Sequence, residues 1–250
     1  MTETRRTSAR LNDFPIRSFR DIADDDYIAA RLAFRSMLVP QFLWSSLQAL
    51  EKYLKCILVL NCVQAKRGHD LRACLTAFEQ ANLFDLRITA GTHKFIDYLD
   101  TYGRHRYFET PFYVRGLEIL SLDRAVWEIR RYAQVLRYEL NVDGRLIPML
   151  PPELRRIEAA ETRSPHMFTI MGARLEKIIA DAQHPAREPL LWQNIFYGKR
   201  PRKTIRIARR TMSANSPLSM HPEILDQVMK YVFLPSDVVK AYRAHATKRA

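Results

Sequence analysis

The sequence predicts an all-α protein, and three observations carry that reading. Glycine is scarce, seven in 250 residues, which leaves little material for the turns of a sandwich or the loops of a nucleotide-binding sheet. Apolar residues recur over long stretches at the 4-3-4-3 spacing of a single helix face. Hydrophobic residues make up 47% of the chain, enough for a real core and too many for general disorder.

The first helix is expected over 24–39. Asp24, Asp25 and Asp26 stand at its start, where carboxylates meet the positive end of the helix dipole. Three consecutive aspartates also raise a metal site. Neighbours on a helix point about 100° apart, however, so capping is the favoured role. The second helix, 40–60, carries Leu43, Leu47, Leu50, Leu54 and Ile57 or Leu58 on one stripe. A second stripe, Gln41, Ser45, Gln48, Lys52 and Lys55, is wholly polar, and Glu51 flanks it. A loop over 61–68 leads to Asp70, a helix N-cap by type and position, and to a third helix with Leu71, Cys74 or Leu75, and Phe78 inward. His69 beside it either caps or faces a ligand. A fourth helix, 91–102, turns Phe95, Tyr98 and Leu99 inward. The aromatic and basic loop YGRHRYFETPFYVRG follows. A fifth helix then starts after Ser121, with Leu122, Val126, Ile129, Ala133, Leu136 and Leu140 in the cleanest periodicity of the chain, and stops at 141–144.

Prolines 148, 151 and 152 mark a boundary. A short helix from Pro152 is expected beyond it, and another from Ser164-Pro165 with Phe168, Met171, Leu175, Ile178 and Ala182 on one stripe. His166 in that helix reads as a surface residue. The stretch LLWQNIFYGKRPRKTIRIARR then gathers Lys199, Arg200, Arg202, Lys203, Arg206, Arg209 and Arg210 with no acidic residue among them. Trp192, Phe196 and Tyr197 precede the run. Rings beside cations suit single-stranded nucleic acid, whereas rings that anchor a basic tail to the body give the same pattern. Two further helices are expected, one opened by Pro222 and a short one over 236–246.

Charge is unevenly spread. The formal net charge is +13; residues 185–250 hold 13 Lys and Arg against 4 Asp and Glu, residues 1–20 hold 5 against 2, and the middle is nearly neutral. A near-neutral body with basic ends points to a polyanion partner. Cys56, Cys62 and Cys74 form no CxxC pair and read as free thiols of a reducing compartment. The basic N-terminus is followed by no apolar signal core, and no apolar run reaches the roughly 20 residues of a membrane span, so a cytoplasmic protein without a membrane partner is expected. GxSxG, P-loop, HExxH and His/Cys metal spacings are absent from the sequence, and no cofactor or metal is expected.

DDDYIAARLAF at 24–34, AxEKYLKxxL at 49–58, GHDLxxxL at 68–75 and a loop with Arg106-Tyr107 ahead of a long last helix together resemble the HEPN superfamily. The resemblance implies an antiparallel helical bundle over 20–142; the prolines, apolar stripes and charge beyond it read as a linker with docking helices over 143–184 and a helical, basic extension over 185–250. It also implies a homodimer and a link to RNA or nucleotides, in the manner of toxin–antitoxin and phage-defence proteins. Active HEPN ribonucleases need no metal and carry an arginine, four to six residues, then a histidine near the start of the last core helix. The arginine steadies phosphate charge and the histidine moves the proton of a 2′-OH or leaving group. In this chain only Arg87 and His93 have that spacing, ahead of the fourth helix, and such a pair is expected by chance in a sequence so rich in arginine. The nearest histidine to the last helix is His105, between Arg104 and Arg106.

The expected function is therefore binding of RNA or a nucleotide, through Lys52, Lys55, His69 and the basic run, by a homodimer in which Lys52 or Lys55 and the Arg104-His105-Arg106 loop contribute to one shared basic cleft. Two rivals stand beside it. One is a metal-independent ribonuclease with a rearranged site at Arg104, His105 and Arg106. The other is an interaction module whose basic tail meets an acidic protein such as an antitoxin.

Overall fold

A computed structural model describes residues 3–104, 109–202, 204–207 and 211–247. Helix starts well before the aspartates. Helix α1 (Glu3–Pro15) runs through a π-helical turn, Ile16–Arg20, into α2 (Asp21–Arg35). Pro15 has no N–H to donate and crowds the preceding turn, and the backbone slips into π spacing just after it, with Asp21 N–H reaching the Ile16 carbonyl. The capping role expected for Asp24 therefore fails. This side chain is fully buried and serves a different purpose, described below.

Helix α3 (Val39–Leu60) is the centre of the bundle, touching α2 along its length and also α4 (Leu71–Gln80), α5 (Ala90–Tyr102) and α6 (Glu118–Arg130). Its predicted stripe is buried throughout: Leu43, Leu47, Leu50, Leu54, Ile57 and Leu58. Each such side chain removed from water contributes about 1.5–3 kcal/mol before entropy is counted. The Asp70 carboxylate caps α4 by accepting from Ala73 N–H at 2.7 Å, as its position predicts. Thr89 does the same for α5. Gly103 closes α5 against α3 so tightly that a Cβ would stand 2.8 Å from the Leu99 carbonyl and 3.1 Å from that of Leu43.

The last core helix begins four residues earlier and ends ten residues sooner than its periodicity suggests. Leu122, Val126, Ile129, Ala133 and Leu136 are buried as expected, but α6 stops at Arg130 and Leu140 lies exposed on a strand. Strands β2 (Glu139–Val142) and β3 (Arg145–Pro148) form a hairpin around Asp143-Gly144, both with positive φ, 50° and 80°. This is the turn that an Asp-Gly pair favours, and it overrides the helical pattern.

Beyond the hairpin come α7 (Leu150–Ala159), α8 (Arg174–Ala180) and α9 (Arg187–Leu191). The single helix expected from Ser164 is instead a 3-10 turn, Pro165–Met167, an irregular stretch, and α8. Gly172, at φ 71°, interrupts it, leaving Met171 almost wholly exposed while Leu175 and Ile178 reach the core. His166 is half-buried. Ile157, Leu190, Phe196 and Tyr197 also belong to the main core. Strand β1 (Phe112–Val114) pairs antiparallel with β4 (Met212–Ala214). Helices α10 (Pro217–Met220), α11 (Leu225–Val228) and α12 (Ser236–Thr247) enclose a second small core of Leu218, Leu225, Leu234, Val238, Val239 and Tyr242. The Tyr242 hydroxyl donates to the Glu109 carbonyl at 2.6 Å and ties this unit to the loop before β1.

Two buried polar networks hold these parts together. Arg130 donates to both oxygens of Asp24, at 2.7 and 2.9 Å, and to both of Glu176, at 2.8 Å each. Tyr53 also donates to Asp24. In the second network Arg31 pairs with Asp123 and donates to the Pro189 and Trp192 carbonyls, while Tyr27 donates to Asp123 at 2.6 Å. Asn194 donates to the Tyr27 hydroxyl at 2.8 Å and accepts from the N–H groups of Phe196 and Tyr197. Buried charges persist only when paired in this way. Among the described residues no helix is long and apolar enough to cross a membrane.

Candidate functional site

The charged face of α3 meets the 61–70 loop at one corner of the bundle. Glu51, only 3% exposed, is its hub. Lys55 donates to Glu51 at 2.5 Å and to the Gly68 carbonyl at 3.1 Å. The His69 Nδ1 lies 2.7 Å from the same carboxylate, which accepts, so Nδ1 carries the proton. The nearby Gln48 amide, 3.1 Å from Nδ1, is then a neighbour of that nitrogen and donates instead to Glu51 at 3.3 Å. Trp44 packs edge-on against the imidazole, with ring centres 5.2 Å apart. Lys52 pairs with Asp26, the third residue of the aspartate run. Asp25 takes Arg174 at 2.6 Å, so each of the three aspartates has its own basic partner and no metal cluster forms among the described residues.

Arg104 joins the same corner. Its guanidinium reaches Asp70 at 3.1 Å and Asp100 at 3.0 Å, and Asp100 also accepts from the Leu71 and Arg72 N–H groups. The corner thus brings together Lys52, Lys55, His69 and Arg104. Its described charges are balanced by Asp26, Glu51, Asp70 and Asp100, so this part is a charge-paired cluster and not an excess of cations. His105 and Arg106 lie outside the described residues.

At the start of α6 there is no histidine; the sequence has none between His105 and His166. The Arg87–His93 pair takes a different place. Both residues line a groove of about 670 Å³ with Leu75, Phe78 and Phe84, between α4 and α5. Arg87 is hemmed by Asp85, Glu158 and Glu161 at 3.5–3.9 Å, and the Arg72 guanidinium stands 3.3 Å from His93 Nδ1. A phosphate entering here would compete with three carboxylates for one guanidinium.

In the basic run, Lys199, Arg200, Arg202 and Arg206 are exposed, and none forms an ion pair among the described residues. Lys199 donates to the Ala180 carbonyl at 3.2 Å. Lys203, Arg209 and Arg210 lie outside the described residues. The aromatics before the run are anchors. Phe196 packs against Trp127, Tyr197 against Tyr27, and the Arg35 guanidinium covers Trp192 at 5.5 Å. Phe196 and Tyr197 are core residues, 8% and 9% exposed.

Residues 16–135 match the family model of the HEPN domain. This segment is a HEPN domain, 120 of the 250 residues. No curated protein and no solved structure matches it. The match covers α2 through α6, the part of the HEPN bundle that carries both EKYLK and GHDL, and it brings a broad association with nucleotides and RNA. The sequence reading overlooked Lys94, Tyr98 and Tyr102 as a unit. Their spacing of four places them on one face of α5, and that periodicity could have drawn attention to them.

Proposed function

We propose that this HEPN protein binds RNA or a nucleotide as a homodimer and does not cleave RNA. The observation behind this reading is the start of α6, which lacks the histidine of the active members, while the nearby Arg104 is held by Asp70 and Asp100. Affinity comes from exposed cations, Lys199, Arg200, Arg202 and Arg206 foremost, continued in sequence by Lys203, Arg209 and Arg210. The setting we propose is toxin–antitoxin or phage defence, in which an acidic antitoxin-like protein is the rival occupant of the basic run. Dimerisation brings the Lys52, Lys55 and His69 corners of two chains towards one cleft.

The test is fluorescence anisotropy with labelled single-stranded RNA across a salt series in EDTA. Each phosphate contact on a single strand contributes about −0.7 to the slope of log affinity against log salt. Replacing Arg200, Arg202 and Arg206 by alanine should flatten that slope by about 2. Unchanged slope and affinity would reduce the run to a solubility device. The same tubes test cleavage, and the RNA should remain intact.

A second reading, ribonuclease, has one observation in its favour: Arg87 and His93 share a groove. Metal-independent cleavage that His93→Ala abolishes would establish it. Cleavage abolished by His105→Ala would place the chemistry at the Arg104-His105-Arg106 triplet.

A further inference from the structure

A second groove, of about 430 Å³, opens between α5, β1 and the first turn of α6. Its walls are Phe95, Tyr98 and Tyr102 from α5 and Tyr113 from β1, with Lys94 and Arg115 at its edges. The rings form a graded set. Phe95 and Tyr98 are nearly parallel, with centres 6.0 Å apart, and Tyr98 leans on Tyr102 at 5.1 Å. The Tyr98 hydroxyl donates to the Tyr113 carbonyl at 3.1 Å and fixes the two walls relative to each other. Burial, reinforced by Glu118 and Tyr102, holds that phenol above its ordinary pKa, so it stays a donor. Tyr113 itself is 46% exposed.

The cations around the groove are not consumed by carboxylates. Lys94 and Arg115 are exposed and enter no ion pair among the described residues, and the Arg115 guanidinium lies 5.8 Å from the Tyr113 ring centre. Glu118 places a single carboxylate on the wall, where it accepts from the Arg115 N–H at 2.7 Å. A carboxylate there repels an acidic peptide but accepts the N–H edge of a base. Strand β1 is paired with β4, which begins two residues after Arg210 in sequence.

We infer that this groove is a base-stacking subsite: it takes an unpaired nucleobase against Tyr113 and Tyr102, with the adjoining phosphate on Lys94 and Arg115. The inference rests on the RNA- or nucleotide-binding reading above and names where the base sits. Aromatic side chains stack on any base, so the subsite is tolerant of sequence and selective for single strands over duplex.

The experiment uses the full chain, a fluorescein-labelled single-stranded 12-mer RNA, and anisotropy in EDTA at low salt. Tyr113→Ala should weaken binding about 5- to 150-fold, the range found for loss of one base–aromatic stack. Tyr113→Phe should bind as the parent does. Lys94→Ala, on an exposed side chain, should weaken binding and flatten the salt slope by about 0.7. Competition with AMP and UMP separates the sources of the ligand: displacement at micromolar levels identifies a free nucleotide, and its absence identifies the polymer. If the parent chain binds RNA while Tyr113→Ala and Lys94→Ala bind equally well, the groove is overturned and the RNA-binding reading survives. If the parent binds neither RNA nor nucleotide, both fail together. An Asp/Glu-rich peptide that binds the parent and is lost in Tyr113→Ala would overturn the base assignment in favour of a protein partner.

Discussion

Replacing Arg130 by methionine should destabilise the protein more than any surface change, and the structure supplies the reason. The guanidinium is fully buried and makes four charge-assisted hydrogen bonds, two to Asp24 and two to Glu176. Burial works against its charge, but Asp24 and Glu176 outweigh that and hold its pKa well above the ordinary arginine value. Methionine fills much of the volume and removes all four bonds. Asp24, fully buried, is then left with the Tyr53 hydroxyl and the Leu175 N–H at 3.3 Å as donors. Breaking a buried pair from one side costs about 3–5 kcal/mol, because the surviving charge remains out of water. Set against a total stability of about 5–15 kcal/mol, that is roughly a fifth or more of the fold. For a chain of this size it corresponds to a fall in Tm of roughly 6–20 °C. Urea unfolding followed by far-UV circular dichroism measures the loss. Asp24→Asn combined with Arg130→Met removes both charges and should recover at least about 1 kcal/mol relative to the sum of the two single losses. A single variant within about 1 kcal/mol of the parent, or strict additivity in the double, would refute the claim that this pair joins α2, α6 and α8.

Three further outcomes follow from the same coordinates. Burial pushes the Cys56 thiol up to about 12 and that of Cys74 up to about 11, whereas Cys62 is exposed; a thiol reagent at pH 8 should label one cysteine quickly and the other two only after unfolding, and three equal rates would contradict this. Burial raises Glu176, but Arg130 outweighs it and holds the carboxyl below its ordinary value of 4.5, so its stabilising contribution is present above that value and is lost as pH falls through the lower folded one. Trp127, which donates to the Pro165 carbonyl at 3.2 Å, should report the loosening of α8 by fluorescence under acid, and Glu176→Gln should blunt the change. Gly103→Ala should cost about 1–3 kcal/mol in thermal or urea melts, because its methyl meets backbone carbonyls that cannot yield as a flexible side chain would.

Much of the bundle was legible before any coordinates. The α3 stripe from Leu43 to Leu58, the Asp70 cap and the inward face of α6 follow from helical period and capping chemistry, which act within a few residues. The motifs EKYLK and GHDL were legible for the same reason, since their order and spacing are local features. Local rules also misled where two of them competed. Leu136 and Leu140 continue a helical period, yet Asp143-Gly144 selects a hairpin, and turn geometry prevails once α6 has ended.

Other features depend on which distant segments meet, and no period encodes that. Asp24 looked like a dipole-capping carboxylate until Arg130, 106 positions away, was found against it. Glu51 looked like the edge of a wet stripe until the 61–70 loop folded over it and brought His69. Phe196 and Tyr197 looked equally suited to stacking bases or filling a core, and Tyr27 and Trp127 decided for the core. Lys94, Tyr98 and Tyr102 share a face by sequence alone, but only the return of the chain through β1 and β4 sets Tyr113 and Arg115 opposite them and turns a helix face into a groove. The sequence determined the helices because hydrogen bonding and burial periodicity are short-range. The pairing of charges and the walls of the grooves were decided by tertiary structure, because desolvation and ring packing depend on what arrives from elsewhere in the chain.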